Sequence, residues 1–266
     1  LTGVITDSEL PGSLTRAQLG ADPRMAAAGN VALDQHRDFE LMRLAGRTTI
    51  RTGASTWDLT AAWTYKDLDH PIFQVIDQLS NDLLLGATVN TGGEAAGRRH
   101  RLRAGLLLNR GDINAANFVN VAGRRGNLVS AARQTATNLE AFAEDQIGLG
   151  RGVTLVLGAS ASANRRENDQ TVGATPDYDL DYDRLMPKAG LRWDGRAVQA
   201  YANVSGSYEP PSFSETLTLN TARDAQTATT WELGSRGVRG PVRWDASLYH
   251  AALRRELLTI DDDGNP

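Results

Sequence analysis

The sequence predicts an all-β chain, an antiparallel up-and-down barrel wall, and three observations carry that prediction. Apolar and polar residues alternate with a period of two in one segment after another, so successive side chains point to opposite faces of a strand. The connections between those segments alternate between short and long. No apolar run approaches the roughly 18 residues a membrane helix needs.

The stretch from Thr227 to Ala252 is the cleanest instance. Thr229, Trp231, Leu233 and Ser235 share one face, against Thr230, Glu232, Gly234 and Arg236. After the Gly-bounded link at 237–240, Val242, Trp244, Ala246 and Leu248 share a face against Arg243, Asp245, Ser247 and Tyr249. Upstream, residues 1 to about 39 are polar and punctuated by Pro11-Gly12, Asp22-Pro23 and Gly29-Asn30, the composition of a long loop. Alternating segments then fall at 41–51, 57–66, 82–90 and 98–108. In 57–66, Trp57, Leu59, Ala61, Trp63 and Tyr65 oppose Asp58, Thr60, Thr64 and Lys66. Residues 135–149 alternate less well: Asp145 intrudes on the apolar face and Phe142 opposes it. Their Ala and Glu content would suit a helix, but neighbouring strands need a partner, so the expectation is a strand. Residues 152–166, 185–193 and 197–208 complete the pattern.

This gives about ten strands. The short connections fall near 52–56, 92–97, 149–152, 194–196 and 237–241, the long ones at 1–39, 67–81, 109–134, 167–184 and 209–226. Short turns at one rim and long loops at the other are the plan of bacterial outer-membrane barrels, and strands near ten residues suit a tilted crossing. A soluble sandwich has no reason to sort its loops so. Small residues, Leu, Val and Trp dominate one face, which suits lipid; Arg, Asp, Glu, Ser, Thr and Asn dominate the other, which suits a wet or plugged lumen. Trp57, Trp193, Trp231 and Trp244 are expected near the short-turn ends, as an aromatic girdle.

Composition removes other classes. The net charge of −4 gives no global basic signature for nucleic acid. The absence of cysteine excludes disulfides and thiolate metal sites without fixing a compartment. No signal peptide is visible at the start, and both ends look like cuts through something longer.

Three blocks resemble the barrel region of TonB-dependent outer-membrane receptors: Ser207-Tyr208-Glu209-Pro210-Pro211-Ser212-Phe213-Ser214-Glu215, then Gln226 through Arg236, then Trp244-Asp245-Ala246-Ser247-Leu248-Tyr249. In that family a strand ending in a PPSF-E loop is followed by a T-T-E-L-G-R strand and a W-A-S-Y strand. Glu9-Leu10-Pro11-Gly12-Ser13-Leu14, Asp22-Pro23-Arg24 and Leu68-Asp69-His70-Pro71-Ile72-Phe73 resemble its siderophore-type members. The resemblance implies that residues 1–266 are part of a barrel domain, without the plug and without the closing C-terminal strands. The family's barrels are of the plugged, roughly 22-stranded kind. It further implies a bacterial outer-membrane location among outer-membrane lipids, uptake of a ferric siderophore or similar scarce ligand, and energising by the TonB–ExbB–ExbD complex through the plug. The Thr-Thr-Trp-Glu-Leu-Gly strand would descend to a periplasmic turn, leaving the long loops extracellular. Two alternatives stay open: a passive porin-like or structural barrel, and a secreted soluble β-protein that binds glycans.

Candidate chemistry is sparse. None of the four histidines, His36, His70, His100 and His250, has a partner at metal-ligand spacing. No catalytic triad, phosphate loop or zinc motif appears, so no catalytic residue, cofactor or metal is expected. Arg43, Arg47, Arg51, Arg99, Arg101, Arg103, Arg192, Arg236 and Arg243 line the polar face and would suit an anionic chelate, although pairing with Asp58, Glu232, Asp245 and a plug explains them as well. The run Asp177-Tyr178-Asp179-Leu180-Asp181-Tyr182-Asp183 could meet a ligand or calcium but is also an ordinary acidic loop. The ligand-contact candidates are Tyr178, Tyr182, Phe213, Arg101 and Arg103.

Overall fold

The computed structural model describes residues 1–218 and 221–256. Among them, eleven strands form one antiparallel sheet in chain order. They are β1 (Thr2–Thr6), β2 (Asp38–Thr52), β3 (Ser55–Pro71), β4 (Gln74–Ala95), β5 (Arg98–Val121), β6 (Arg124–Gly150), β7 (Val153–Val172), β8 (Tyr178–Asp194), β9 (Val198–Glu209), β12 (Gln226–Arg239) and β13 (Val242–Arg254). A small ribbon of β10 (Leu217–Thr218) and β11 (Thr221–Ala222) lies between β9 and β12. The sheet is open, with β1 and β13 at its edges. Residues 257–266, the end of the acidic tail, lie outside the described residues.

The short-turn rim is built as the sequence demands. Ala96-Gly97 and Arg151-Gly152 are two-residue loops with positive φ at both positions, the geometry that matches the twist of the strands they join. The ambiguous segment 135–149 is strand, inside β6. Its intruding Asp145 is answered by His100, whose Nδ1 lies 2.6 Å from the carboxylate on the same face of the sheet.

Three expectations need correction. Stretches 67–81, 109–134 and 167–184 are not long loops: β3 and β4 meet across Ile72-Phe73, β5 and β6 across Ala122-Gly123, and β7 and β8 are joined by residues 173–177 alone, so the acidic run from Tyr178 onwards is strand. The strands run on beyond the apolar band, and period two fades there because both faces become polar. Residues 1–39 are not all loop either, since they hold β1 and two short helices, α1 (Arg16–Ala21) and α2 (Ala28–Ala32). Thr15 caps α1, receiving the Gln18 amide while Gln18 reaches back to the Thr15 amide, a reciprocal cap. Finally, Trp231 is not at the short-turn end. It lies nearer the long-loop end of β12, stacked on His250 with ring centroids 5.7 Å apart. Trp57, Trp193 and Trp244 do lie within three residues of short-turn strand ends.

The register defines two faces. On the apolar face of β7 stand Val153, Leu155, Leu157, Ala159, Ala161 and Ala163, followed by Arg165, Glu167 and Asp169. On β8 the same face runs from Trp193 through Leu191, Ala189, Pro187 and Leu185 to Asp183, Asp181 and Asp179. An apolar band thus gives way to charge towards the long-loop rim, where Arg165 pairs with Asp179 and Glu167. Arg125 there bridges Asp69 and Asp77 at 3.2 and 2.9 Å.

Little of this wall has a conventional core, because a single sheet leaves both faces open. The buried places are at the long-loop rim. In one, the segment before β2 folds onto the β3–β4 and β5–β6 tips. Asn120 donates from Nδ2 to the carbonyls of Leu33 (2.9 Å) and Ile72 (2.6 Å), and its Oδ1 accepts from the Gly123 amide.

Candidate functional site

The second buried place is the candidate site. On the polar face of β7, Asn164, Arg166 and Asn168 fall at alternate positions and are buried. Opposite them on β8 stand Tyr182, Leu180 and Tyr178. What covers them is the connection after β9. β8 and β9 pair only from Asp194↔Gln199 to Lys188↔Ser205, and the ladder stops at Pro187, which has no N–H to donate. β9 continues with β12, and the chain at Glu209-Pro210-Pro211 turns back across the polar face of β8. It reaches β7, where Arg166 Nε donates to the Pro211 carbonyl at 3.2 Å. Pro211 and Thr216 are fully buried.

The strap has its own internal order. Glu215 accepts from the Ser212 amide (3.0 Å) and hydroxyl (2.5 Å), and the Thr216 hydroxyl donates to the Ser212 carbonyl (2.6 Å). These contacts hold the Glu215 carboxyl below its usual range. Phe213 in this turn is half-buried.

Arg166 is the unusual group. Its relative exposure is 7%. Its Nη1 donates to the Arg165 carbonyl at 3.0 Å, and among the described residues no carboxylate pairs with it. Burial pushes the guanidinium below its ordinary value, opposed by Tyr182, Tyr208 and Tyr178 nearby. Burial raises the Tyr178 and Tyr182 phenols for the same reason. The Tyr182 and Tyr208 hydroxyls are buried without a well-formed hydrogen bond. Asn168 bonds Gln134, Gln170 and the Pro176 carbonyl, which closes the hairpin tip beside the cluster.

Residues 9–266 match the sequence profile described as TonB dependent receptor-like, beta-barrel. The chain belongs to the TonB-dependent receptor family. That makes it part of a receptor barrel and not an enzyme, and the apolar and polar faces of the sheet are those of such a barrel's wall. No curated protein sequence matches the chain. Among solved structures, the chain is similar to the ferric citrate transporter FecA in its unliganded form, with a TM-score of 0.83 at 13% identity, over 99% of this chain and 41% of that one. It is also similar to the alcaligin outer-membrane receptor FauA of Bordetella pertussis (TM-score 0.67, 17% identity, 82% of this chain and 37% of that one). The ferric-catecholate import receptor Fiu of E. coli K12 is a third, with a TM-score of 0.67 at 14% identity over 90% of this chain and 46% of that one. The chain therefore spans less than half the length of each of these receptors.

Within this receptor wall the five sequence candidates divide. Tyr178 and Tyr182 stand together beside Arg166, and Phe213 belongs to the strap that Arg166 holds. Arg101 and Arg103 are at the other end. Arg101 shares its cross-strand row with Gln146, Val156 and Gly190, so Tyr182 lies eight residues, about 26 Å, further along. Arg103 stacks on Phe142 with its guanidinium 5.7 Å from the ring centroid, and Arg101 lines a groove at the short-turn rim with Glu94, Gln146 and Asp194. The other arginines divide likewise: Arg47 pairs with Asp58 at 3.0 Å, Arg192 with Asp194 at 2.9 Å, and Arg236 stacks on Tyr201. Glu232 takes Tyr201 and Asn203 as its partners.

The acidic run is split by strand alternation. Asp179, Asp181 and Asp183 face away from Tyr178 and Tyr182, and Asp177 accepts from the Gln170 amide. Among the described residues no group of three metal-ligating side chains forms. Arg166 itself carried no sequence signal. Its neighbour Arg165 has the same identity and points the other way, and only the register of β7 against β8 separates them.

Proposed function

We propose that residues 1–266 are part of the barrel domain of a larger outer-membrane receptor that takes up a ferric siderophore or a similar scarce ligand. The observation that carries this reading is the family match over 9–266, together with the likeness to structures named as ferric citrate, alcaligin and ferric-catecholate receptors. The apolar band would face outer-membrane lipid, the polar face would line the lumen, and the long-loop rim would be extracellular. Ligand would be held at that rim by Tyr178, Tyr182 and Phe213 with a plug domain beneath. A TonB–ExbB–ExbD complex would pull on the plug to let it pass, and no covalent bond would be made or broken. Arg101 and Arg103, at the opposite rim, would act on exit rather than on capture.

The test is uptake of radioactive iron by cells carrying the full receptor gene, supplied as ferric citrate, ferric catecholates or ferric hydroxamates. Uptake of one class that disappears both on deleting the gene and on deleting the energising complex is the expected result. Uptake of every class unchanged by either deletion would overturn the reading.

A further inference from the structure

We infer that Arg166 is a latch: a positioning residue that pins the strap of residues 209–216 across β8 and so fixes where Phe213 stands at the barrel mouth.

The argument starts from the break in the sheet. Because pairing stops at Lys188↔Ser205, the β8 edge from Tyr178 to Pro187 has no ladder partner on the β9 side among the described residues. Gly206 sits against Met186 and Pro187 in that gap, where a Cβ would meet Pro187 Cδ at 3.7 Å. The strap leaves β9 just past this point and crosses two strand spacings, over β8, to reach β7, a span of about 10 Å. Pro210 and Pro211 fix φ and stiffen the crossing. Their ring nitrogens donate nothing, so at these two residues the strap can be held through carbonyls only, and the donor must come from the wall. Arg166 is that donor.

The guanidinium suits the task for a specific reason. One N–H edge reaches the Pro211 carbonyl and another reaches its own strand at the Arg165 carbonyl, so the planar fork is clamped between wall and strap. The acceptors are neutral, and no carboxylate competes among the described residues. Among the described residues, the other hydrogen bonds of 212–216 are internal to the turn, go to Arg223, or join Thr216 to Tyr178 of β8. The turn therefore moves as a unit, held to the wall by Arg166 at Pro211 and by Tyr178 at Thr216; Thr216→Cys replaces the second hold, which leaves Arg166 as the one under test. Phe213 rides on that unit. Its role as a ligand contact rests on the proposed function; the latch does not.

The test uses the full receptor in intact cells. The described chain has no cysteine, so Thr216→Cys puts a single thiol of this region at a fully buried position. Its labelling by a membrane-impermeant maleimide reports lifting of the strap. Adding Arg166→Met should raise the labelling rate about 10- to 100-fold, the worth of a hydrogen bond to a charged group. Arg166→Lys should fall between, because a lysine makes one of the two contacts but not both. Amide exchange should rise in 212–216 and stay unchanged in 153–163. Labelling no faster in Arg166→Met than in its parent would overturn the latch, and so would exchange that rises equally in β7, which would mean a general loss of folding. Faster labelling with unchanged iron uptake would leave the latch standing and remove Phe213 from the ligand site.

Discussion

Substituting Leu157 by Arg tests whether the apolar face meets lipid, and its cost can be worked from the register. On β7 that face is apolar from Val153 to Ala163. Ten steps at about 3.3 Å make about 33 Å along the strand, and a tilt of about 40° reduces this to about 25 Å of height. That is the height of the apolar band of an outer-membrane barrel. Leu157 lies four steps in, about 10 Å above the lower edge and close to the middle. An arginine there should cost about 2–4 kcal/mol. Ser160, three residues on, faces the polar wall between Phe142 and Met186, and an arginine there stays in the lumen and should cost less than about 1 kcal/mol. The assay is equilibrium unfolding by guanidinium of the full receptor folded into phospholipid vesicles, comparing both variants with the parent. Equal losses would refute the assignment of faces, and a larger loss at Ser160 would reverse it.

Asn120→Ala removes one hydrogen bond to the segment before β2 (Leu33), one to the β3–β4 tip (Ile72) and one inside the β5–β6 tip (Gly123), worth about 1 kcal/mol each, and so frees that segment from its seat. Trypsin should then cut at Arg16 or Arg24 at least tenfold faster, with the barrel strands unchanged. Glu215 has a folded-state value below its ordinary one, so the stability it lends the strap turn is present above the unfolded value and lost as pH falls through the folded one. Protection of the Ser212 amide, relative to its intrinsic exchange rate, should fall as pH drops below the ordinary carboxyl range, and Glu215→Gln should remove that dependence. His100→Ala leaves the Asp145 carboxylate unpaired on the apolar face and should cost about 3–5 kcal/mol, whereas replacing both by leucine should be neutral or stabilising. A double-mutant cycle that shows no coupling between the two positions would contradict the pairing.

How far the sequence can be read depends on what sits on both faces of a strand at once. Within the band, lipid demands one apolar face and the lumen permits a polar one, so 57–66 and 152–166 show their period. Past the band the demand ends, but the ladder continues because each backbone N–H and C=O still pairs across the hairpin. Asp112, Asn114 and Asn117 of β5 meet Thr135, Arg133 and Ser130 of β6 in regular register, and Asn120 meets Arg125 beyond a bulge, all with no hydropathic contrast. Polar composition there says nothing about strand or loop. The site is hidden for a related reason. Of the adjacent arginines at 165 and 166, one meets Asp179 in the open and the other meets a proline carbonyl under the strap. Both have ordinary neighbours in sequence. The one local hint was the Pro210-Pro211 pair, which forfeits two donors in a segment that must still be held, and so requires a donor from elsewhere. The sequence shows that need; which residue meets it follows from three strands in register and the gap that Pro187 opens between β8 and β9.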